Sequence, residues 1–129
     1  MNKHFFSALL VMSFAIQANA ADWVPINFSN DSITYGDVGS RTDRRAWFEM
    51  QYVKPQKTFD NKFYMSAKWL VEMNCNDSSI RFLTATYYSK SGNPVSYYTT
   101  PAYDTKYSYV VPDSRGEDMY NFVCSHFPR

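Results

Sequence analysis

The sequence predicts an α+β fold, in which one antiparallel sheet of about six strands packs one face against a C-terminal helix. Three observations predict it. Two central segments alternate apolar and polar side chains with a period of two, which is typical of half-buried strands. The last segment changes to a helical period. Two cysteines lie one in each kind of segment, so a disulfide would join the helix to the sheet.

Residues 1–20 predict a secretory signal peptide. Lys3 supplies the positive charge, an apolar stretch follows, and Ala18-Asn19-Ala20 is a small-x-small cleavage site before Ala21. The alternative, an uncleaved membrane anchor, is disfavoured because the apolar stretch is too short to span a bilayer and no second stretch follows it. We therefore expect an exported domain of residues 21–129 in an oxidising place: the periplasm, the cell surface or the medium.

The exported part is one domain with balanced charge. Lys3 is the only Lys or Arg in residues 1–20, so the 13 Lys and Arg and the 12 Asp and Glu of the whole chain become 12 and 12. This balance disfavours nucleic acid or an anionic membrane as the partner of the domain. Aromatic residues make up 19% of the chain, which favours strands because rings suit a pleated, half-buried surface.

The N-terminal part of the domain predicts two short strands. Residues 23–28 form the first, in which Pro25 indicates an edge position. The turn signal Asn30-Asp31 leads into residues 32–35, which pair back as the second strand. Residues 36–45 are polar, and we expect a loop there.

Two central strands, residues 46–53 and 64–75, have the clearest alternation. One face of the first is apolar: Phe48, Met50 and Tyr52. One face of the second is apolar too: Ala67, Trp69, Val71, Met73 and Cys75. Glu49 and Glu72 lie on the opposite faces of these strands, where we expect them to be solvated.

Further strands are predicted after a turn at 76–78. They are residues 80–88, 95–99 and 107–111, with a hairpin turn at 91–94 and a loop at 101–106. The face of the first of them is ambiguous, because Ile80 and Phe82 oppose Leu83 and Tyr87.

The C-terminal segment predicts a helix. Pro112 ends the last strand, Ser114 and Glu117 fit a capping box, and Asp118 adds negative charge near the helix N-terminus. One face is then apolar at helical spacing: Met119, Tyr120, Val123, Cys124 and Phe127.

Cys75 and Cys124 are predicted to form a disulfide. After export, an even pair without metal-like spacing favours one bridge over the alternative of two buried free thiols. Each cysteine lies on the apolar side of its own element, and the loop that the bridge closes corresponds to roughly 4 kcal/mol of chain entropy.

An ordered set of residues resembles the bacterial surface-adhesin protein E family over nearly the whole exported part. The set is Trp23, Tyr35-Gly36-Asp37, Trp47, Ser66-Ala67-Lys68, Asn74-Cys75, Tyr87-Tyr88-Ser89, Pro112-Asp113-Ser114, Glu117 and Val123-Cys124. The resemblance implies a sheet packed on one helix, the Cys75–Cys124 bridge and a binding role at the bacterial envelope. A surface-anchored relative would carry a lipidated cysteine at the cleavage point, where this sequence has Ala20-Ala21.

The sequence predicts a non-enzymatic protein without metal or cofactor. His126, the only histidine in 21–129, lies close to Cys124, but a bridged thiol is no nucleophile and a surface histidine at a helix end is favoured. A lone histidine also cannot form a zinc site with bridged cysteines. Asp37, Glu49 and Glu72 are candidates for a catalytic carboxylate pair only because they are acids. Nothing in the pattern brings them together with a nucleophile.

Two groups of side chains are candidates for binding a protein partner. Arg41, Arg44 and Arg45 cluster before a strand, and planar guanidinium groups are favoured at interfaces. The alternative is a solvated loop, balanced by Asp37 and Asp43. The second group is tyrosine-rich: Tyr97, Tyr98, Tyr103, Tyr107 and Tyr109. These rings suit recognition, and the alternative is that strands simply favour tyrosine.

The predicted function is therefore protein binding, with host matrix or plasma proteins as the partners that the family resemblance implies. The alternative is a soluble periplasmic accessory or inhibitor protein that acts on bacterial partners. Exposed edge strands also offer a surface for a homodimer or for an added strand from another chain.

Overall fold

The computed structural model describes residues 21–100 and 105–125. Within them lie a sheet of seven strands, a 3-10 turn at Val38–Ser40 and one α-helix. The strands and the helix are β1 (Trp23–Phe28), β2 (Ser32–Asp37), β3 (Arg45–Lys57), β4 (Phe63–Asn74), β5 (Ser79–Tyr88), β6 (Pro94–Thr99), β7 (Ser108–Tyr109) and α1 (Arg115–Cys124). The predicted signal peptide lies outside the described residues, as do Tyr103, His126 and Phe127.

The strands are ordered β1-β2-β3-β4-β5-β6, and each is antiparallel to its neighbours. The two-residue β7 pairs with the first residues of β5, whereas β6 pairs with the later ones. The predicted α+β architecture is confirmed: an antiparallel sheet of six to seven strands with a C-terminal helix. The strand expected at 107–111 is reduced to β7, and the loop expected at 36–45 is shorter because β2 runs to Asp37 and β3 begins at Arg45.

The hairpin of β3 and β4 is longer than predicted. Its pairing shifts between Gln51 and Gln56, so residues 52–55 of β3 oppose the single residue Met65 of β4. Pro55 falls inside this bulge, where its missing N–H breaks no ladder hydrogen bond. The strand therefore continues through Pro55 to Lys57, beyond the end predicted at residue 53.

The core lies between α1 and one face of the sheet, which we call the helix face. Its buried members come from β3, β4, β5 and α1: Ala46, Phe48, Met50, Val71, Met73, Ile80, Met119, Tyr120, Val123 and Cys124. The predicted apolar faces of the two central strands and the helix are confirmed. A bulge in the pairing of β4 with β5 places Phe82 opposite Val71 and Ala85 opposite Trp69. The extra residue in β5 is Leu83, and it explains why the apolar side chains of β5 change from one sequence parity to the other.

A disulfide, several hydrogen bonds and close packing fix α1 on the sheet. The Cys75–Cys124 disulfide is present, with Cα atoms 5.6 Å apart, as the sequence predicted. The Tyr120 hydroxyl donates a 2.9 Å hydrogen bond to the Cys75 carbonyl. At Gly36 the backbone approaches the Phe122 ring so closely that a Cβ atom there would lie 2.8 Å from it.

The amide of Glu117 donates to the Ser114 hydroxyl at 3.2 Å, which is the predicted serine half of the capping box.

Candidate binding surface

The predicted arginine cluster lies at the end of the sheet formed by the β2–β3 and β4–β5 connections and the C-terminus of α1, which we call the disulfide end. The Arg41 guanidinium stacks 4.6 Å from the centroid of the Phe122 ring and donates to the Phe122 carbonyl at 3.3 Å. Arg45 forms an ion pair with Glu72, and Arg44 is exposed. Arg41 and Arg45 therefore join parts of the fold at this end, and the exposed Arg44 hydrogen-bonds to Tyr107.

Glu72 was expected to be solvated, and that expectation is wrong. Its side chain is only 3% exposed, on the sheet face away from α1. Strand register explains this burial, because Arg45 and Arg81 are the direct cross-strand neighbours of Glu72 and both form ion pairs with it. The Tyr107 hydroxyl donates a further 2.7 Å hydrogen bond to the same carboxylate.

The electrostatics of Glu72 follow from these contacts. Burial by itself raises the pKa of the carboxyl, and the hydrogen bonds from Tyr107, Arg45 and Arg81 outweigh it and bring the pKa down to about 2. Arg81 also lies 4.4 Å from the centroid of the Tyr107 ring. The result is a satisfied structural ion cluster.

The other predicted acids do not join Glu72. The Asp37 carboxylate accepts hydrogen bonds from the amides of Asp22 and Gly39, and Glu49 accepts one from Gln51. Within residues 21–100 and 105–125, no group of three or more His, Cys, Asp or Glu side chains is placed to hold a metal ion. No helix in the same ranges has the length and hydropathy needed to cross a bilayer.

The structure divides the predicted tyrosine group. Tyr107 belongs to the Glu72 cluster, and Tyr109 lies on β7 with 79% of its surface exposed. Tyr97 and Tyr98 are consecutive on β6, so their side chains lie on opposite faces of the sheet. Both are exposed, and Tyr98 shares the helix face with its cross-strand partner Ala85.

Tyr98 is one wall of a cavity of about 270 Å³ on the helix face, which we call the aromatic groove. Its lining contains no charged side chain: Trp69, Phe82, Ala85, Tyr87 and Tyr98. The rings of Trp69 and Phe82 meet edge to face at 4.9 Å. The sequence placed Trp69 on an apolar face, but the groove depends on the bulge in β5, which has no clear signal in the sequence.

A row of tyrosines extends the floor of the groove. The rings of Tyr64 and Tyr87 lie 4.7 Å apart, and those of Tyr52 and Tyr64 lie 5.7 Å apart, both edge to face. Burial raises the pKa of Tyr64 to about 12, with smaller contributions from Tyr52 and Tyr87. These contacts hold the rings in fixed positions, so a ligand meets a preformed surface.

The strand beside the groove has an unpaired edge. Among the described strands, β6 pairs with β5 on one side and with none on the other. Backbone N–H and C=O groups along such an edge can accept an additional strand. The groove and this edge together form the candidate binding surface.

The comparison with protein families decides the class. A family model described as Surface-adhesin protein E matches residues 23–125, which include every described strand and α1. The chain belongs to the surface-adhesin protein E family. The predicted resemblance is therefore confirmed, and membership implies an exported protein whose partner is another protein. No curated protein and no solved structure matches the chain.

Proposed function

We propose that this member of the surface-adhesin protein E family is a non-enzymatic binding protein of a bacterial envelope, which holds a protein partner at the aromatic groove and the neighbouring edge of β6. The observation that carries the proposal is the preformed groove beside an unpaired strand. Family membership supports the binding class.

The geometry suits an extended segment of the partner. Such a segment pairs its backbone with β6 and places an apolar side chain against Tyr98 and the rings behind it. Large aromatic side chains contribute contact area at a low cost in conformational entropy, and they dominate many protein interfaces. Host matrix or plasma proteins are the first partner class to test, because the family is described as surface adhesins.

Of the predicted arginines, Arg44 is the best placed to contact a partner. It is exposed and its side chain hydrogen-bonds to Tyr107, whereas the guanidinium groups of Arg41 and Arg45 contact Phe122 and Glu72. We expect Arg44→Ala to weaken binding less than a change in the groove, because exposed charges mainly affect the rate of association.

The test is saturation binding of the exported protein to a panel of matrix and plasma proteins. For a partner found in this way, Tyr98→Ala is expected to weaken binding at least about tenfold, as loss of a central aromatic contact does. Tyr97→Ala is the matched control, because Tyr97 is an exposed tyrosine on the same strand whose side chain lies on the opposite sheet face, and it is expected to change binding less than about twofold.

Two results would contradict the proposal. Equal effects of Tyr98→Ala and Tyr97→Ala would exclude the groove as the binding surface. No saturable binding across the panel would remove host proteins as partners. Protease treatment of intact cells then separates the alternatives: digestion places the protein at the surface, and protection favours a periplasmic accessory or inhibitor protein with bacterial partners.

A further inference from the structure

Exposed apolar side chains concentrate at the end of the sheet opposite the disulfide. We call it the hairpin end, and it comprises the β1–β2, β3–β4 and β5–β6 turns at 29–31, 58–62 and 89–93 with the strand residues that flank them. Eight large hydrophobic side chains are exposed among the described residues, and four of them lie here with 61–79% of their surface exposed: Phe28, Val53, Phe59 and Phe63. They include every exposed phenylalanine of residues 21–100 and 105–125.

The β3–β4 turn holds Phe59 and Phe63 outward. The amide of Thr58 donates to the Lys62 carbonyl at 2.9 Å, and the amide of Lys62 donates back to the Thr58 hydroxyl at 3.0 Å. The Ser96 hydroxyl of β6 donates to the Asp60 carboxylate at 3.2 Å, which ties the turn to the sheet. The rings are therefore displayed from an ordered turn, although apolar surface in water is unfavourable.

The bulged part of β3 brings a further apolar side chain to the same end. The Val53 amide donates to the Asp31 carbonyl at 3.0 Å, so this segment is joined to the β1–β2 turn. Phe28 immediately precedes that turn, at the end of β1. Three segments of the chain thus expose apolar side chains at the hairpin end.

The hairpin end is also locally positive. Four exposed lysines lie in it: Lys54, Lys57, Lys62 and Lys90. Its acids are Asp31 and Asp60, and Asp60 forms an ion pair with Lys62 at 3.5 Å, so four lysines against two aspartates leave an excess of two positive charges. Lys57 lies 5.3 Å from the centroid of the Phe63 ring, so cation and ring are presented together.

We propose that the hairpin end docks on the anionic phospholipid surface of a membrane, with Phe59 and Phe63 entering the interface and the lysines contacting phosphate groups. Interfacial binding strengthens with buried apolar area and with attraction between cations and anionic lipids, and this end of the molecule supplies both. The aliphatic part of a lysine also stays in the apolar layer while its ammonium reaches the headgroups.

The chemistry favours a lipid surface over a protein at this end. Lysine is depleted in the cores of protein interfaces, whereas here Lys57 lies over the Phe63 ring and Lys62 is its neighbour in the sequence. The balanced charge of the exported part disfavours a general attraction to anionic membranes. Electrostatic attraction nevertheless acts over about 8 Å at physiological salt, so the local excess of lysine governs contact at the hairpin end.

The test is co-sedimentation of the exported protein, produced from the complete coding sequence, with two kinds of vesicle. One contains equal parts of phosphatidylglycerol and phosphatidylcholine, and the other contains phosphatidylcholine alone. The wild-type protein is expected to bind the first and to bind it more weakly as salt is raised. Phe59→Ser with Phe63→Ser is expected to lower the partition coefficient at least about tenfold. Lys54→Gln with Lys57→Gln is expected to lower it about fivefold for each lysine removed.

Matched controls carry the same changes elsewhere. Tyr109→Ser with Val111→Ser removes two exposed apolar side chains that lie outside the hairpin end. Lys106→Gln removes an exposed lysine that also lies outside it. These variants are expected to bind vesicles as the wild-type protein does. Near-ultraviolet circular dichroism of every variant shows whether the fold is retained.

Three outcomes would overturn the proposal. The first is no binding of the folded wild-type protein to either vesicle. The second is loss of binding in the lysine variant but not in the phenylalanine variant, together with equal binding to soluble heparin, which identifies a polyanion site. The third is a concentration-dependent dimer that the phenylalanine variant abolishes without any vesicle binding, which identifies a second copy as the partner.

Discussion

The two ends of the sheet are made by the same strands and differ in what their side chains do. At the disulfide end, a covalent bridge, a buried Glu72 with its arginine partners and the stacking of Arg41 on Phe122 join the strands to each other and to α1. At the hairpin end, hydrogen bonds keep the turns ordered while Phe59 remains 79% exposed.

The comparison shows that residue type is a poor guide to function in this molecule. Arginines, which are typical of interfaces, are used inside the fold at one end. Phenylalanines, which are typical of cores, are displayed to solvent at the other. We infer that stability is concentrated at the disulfide end and that the hairpin end is available for contact with other molecules, and four measurements test this division.

The largest effect is expected from removing the bridge. Cys75→Ala with Cys124→Ala should lower the free energy of unfolding by about 4 kcal/mol, because the two cysteines are 49 residues apart and their bond restricts the unfolded chain. Urea-induced unfolding measures the change, and reduced wild-type protein is the control. A loss below about 1 kcal/mol would show that the disulfide end is not the stable one.

Glu72→Gln tests the ion cluster at the same end. The substitution preserves shape but removes the negative charge that the arginines neutralise, and we expect a loss of about 3 kcal/mol in the free energy of unfolding. Glu49→Gln is the matched control, because Glu49 lies on the same sheet face without an ion pair among the described residues, and it should cost less than about 0.5 kcal/mol. Equal losses would exclude a special role for Glu72.

Acid should weaken the disulfide end through the same carboxyl. The pKa of Glu72 is about 2 in the folded chain against an ordinary value of 4.5, so folding favours the charged form. Its contribution is fully present above pH 4.5 and is lost as the pH falls towards 2, by on the order of 2 kcal/mol. Urea titrations at several pH values measure this slope. The Glu72→Gln variant should have a shallower slope, and an identical slope would assign the acid sensitivity to other groups.

The smallest effect is expected at the hairpin end. Phe59→Ser should change the free energy of unfolding by less than about 0.5 kcal/mol, because the ring is exposed and lies outside the core. Urea unfolding beside the wild-type protein measures it. A loss of more than about 1 kcal/mol would mean that the ring packs on the fold, and the contrast between the two ends would then be weaker than the structure indicates.

The architecture could be predicted because its signals are local. The period of two in β3 and β4, the helical spacing from Met119 to Cys124 and the placement of one cysteine in each pattern are all visible along the chain. The buried role of Glu72 was not predictable in the same way. It depends on the register that sets Arg45 and Arg81 beside it, and many registers are compatible with the same alternation.

The two surfaces differ in how far the sequence indicated them. Tyr98 was identified from its aromatic character, but the groove around it arises from a bulge that moves Ala85 and Tyr87 onto the helix face. Phe59 and Phe63 were not identified, because a phenylalanine beside a strand is expected to be buried. Their exposure depends on the conformation of the whole bulged β3–β4 hairpin.

The simple strand order has a consequence for how the molecule is assembled. Strands β1 to β6 are neighbours in the sheet in the order in which they occur along the chain. A polypeptide that emerges from a translocation pore N-terminus first can therefore pair each strand with the strand before it. Each pairing closes only a short loop. The helix is made last, and until it packs, the apolar surface that it will cover stays exposed to water, so a chaperone that binds apolar surface would act in this interval.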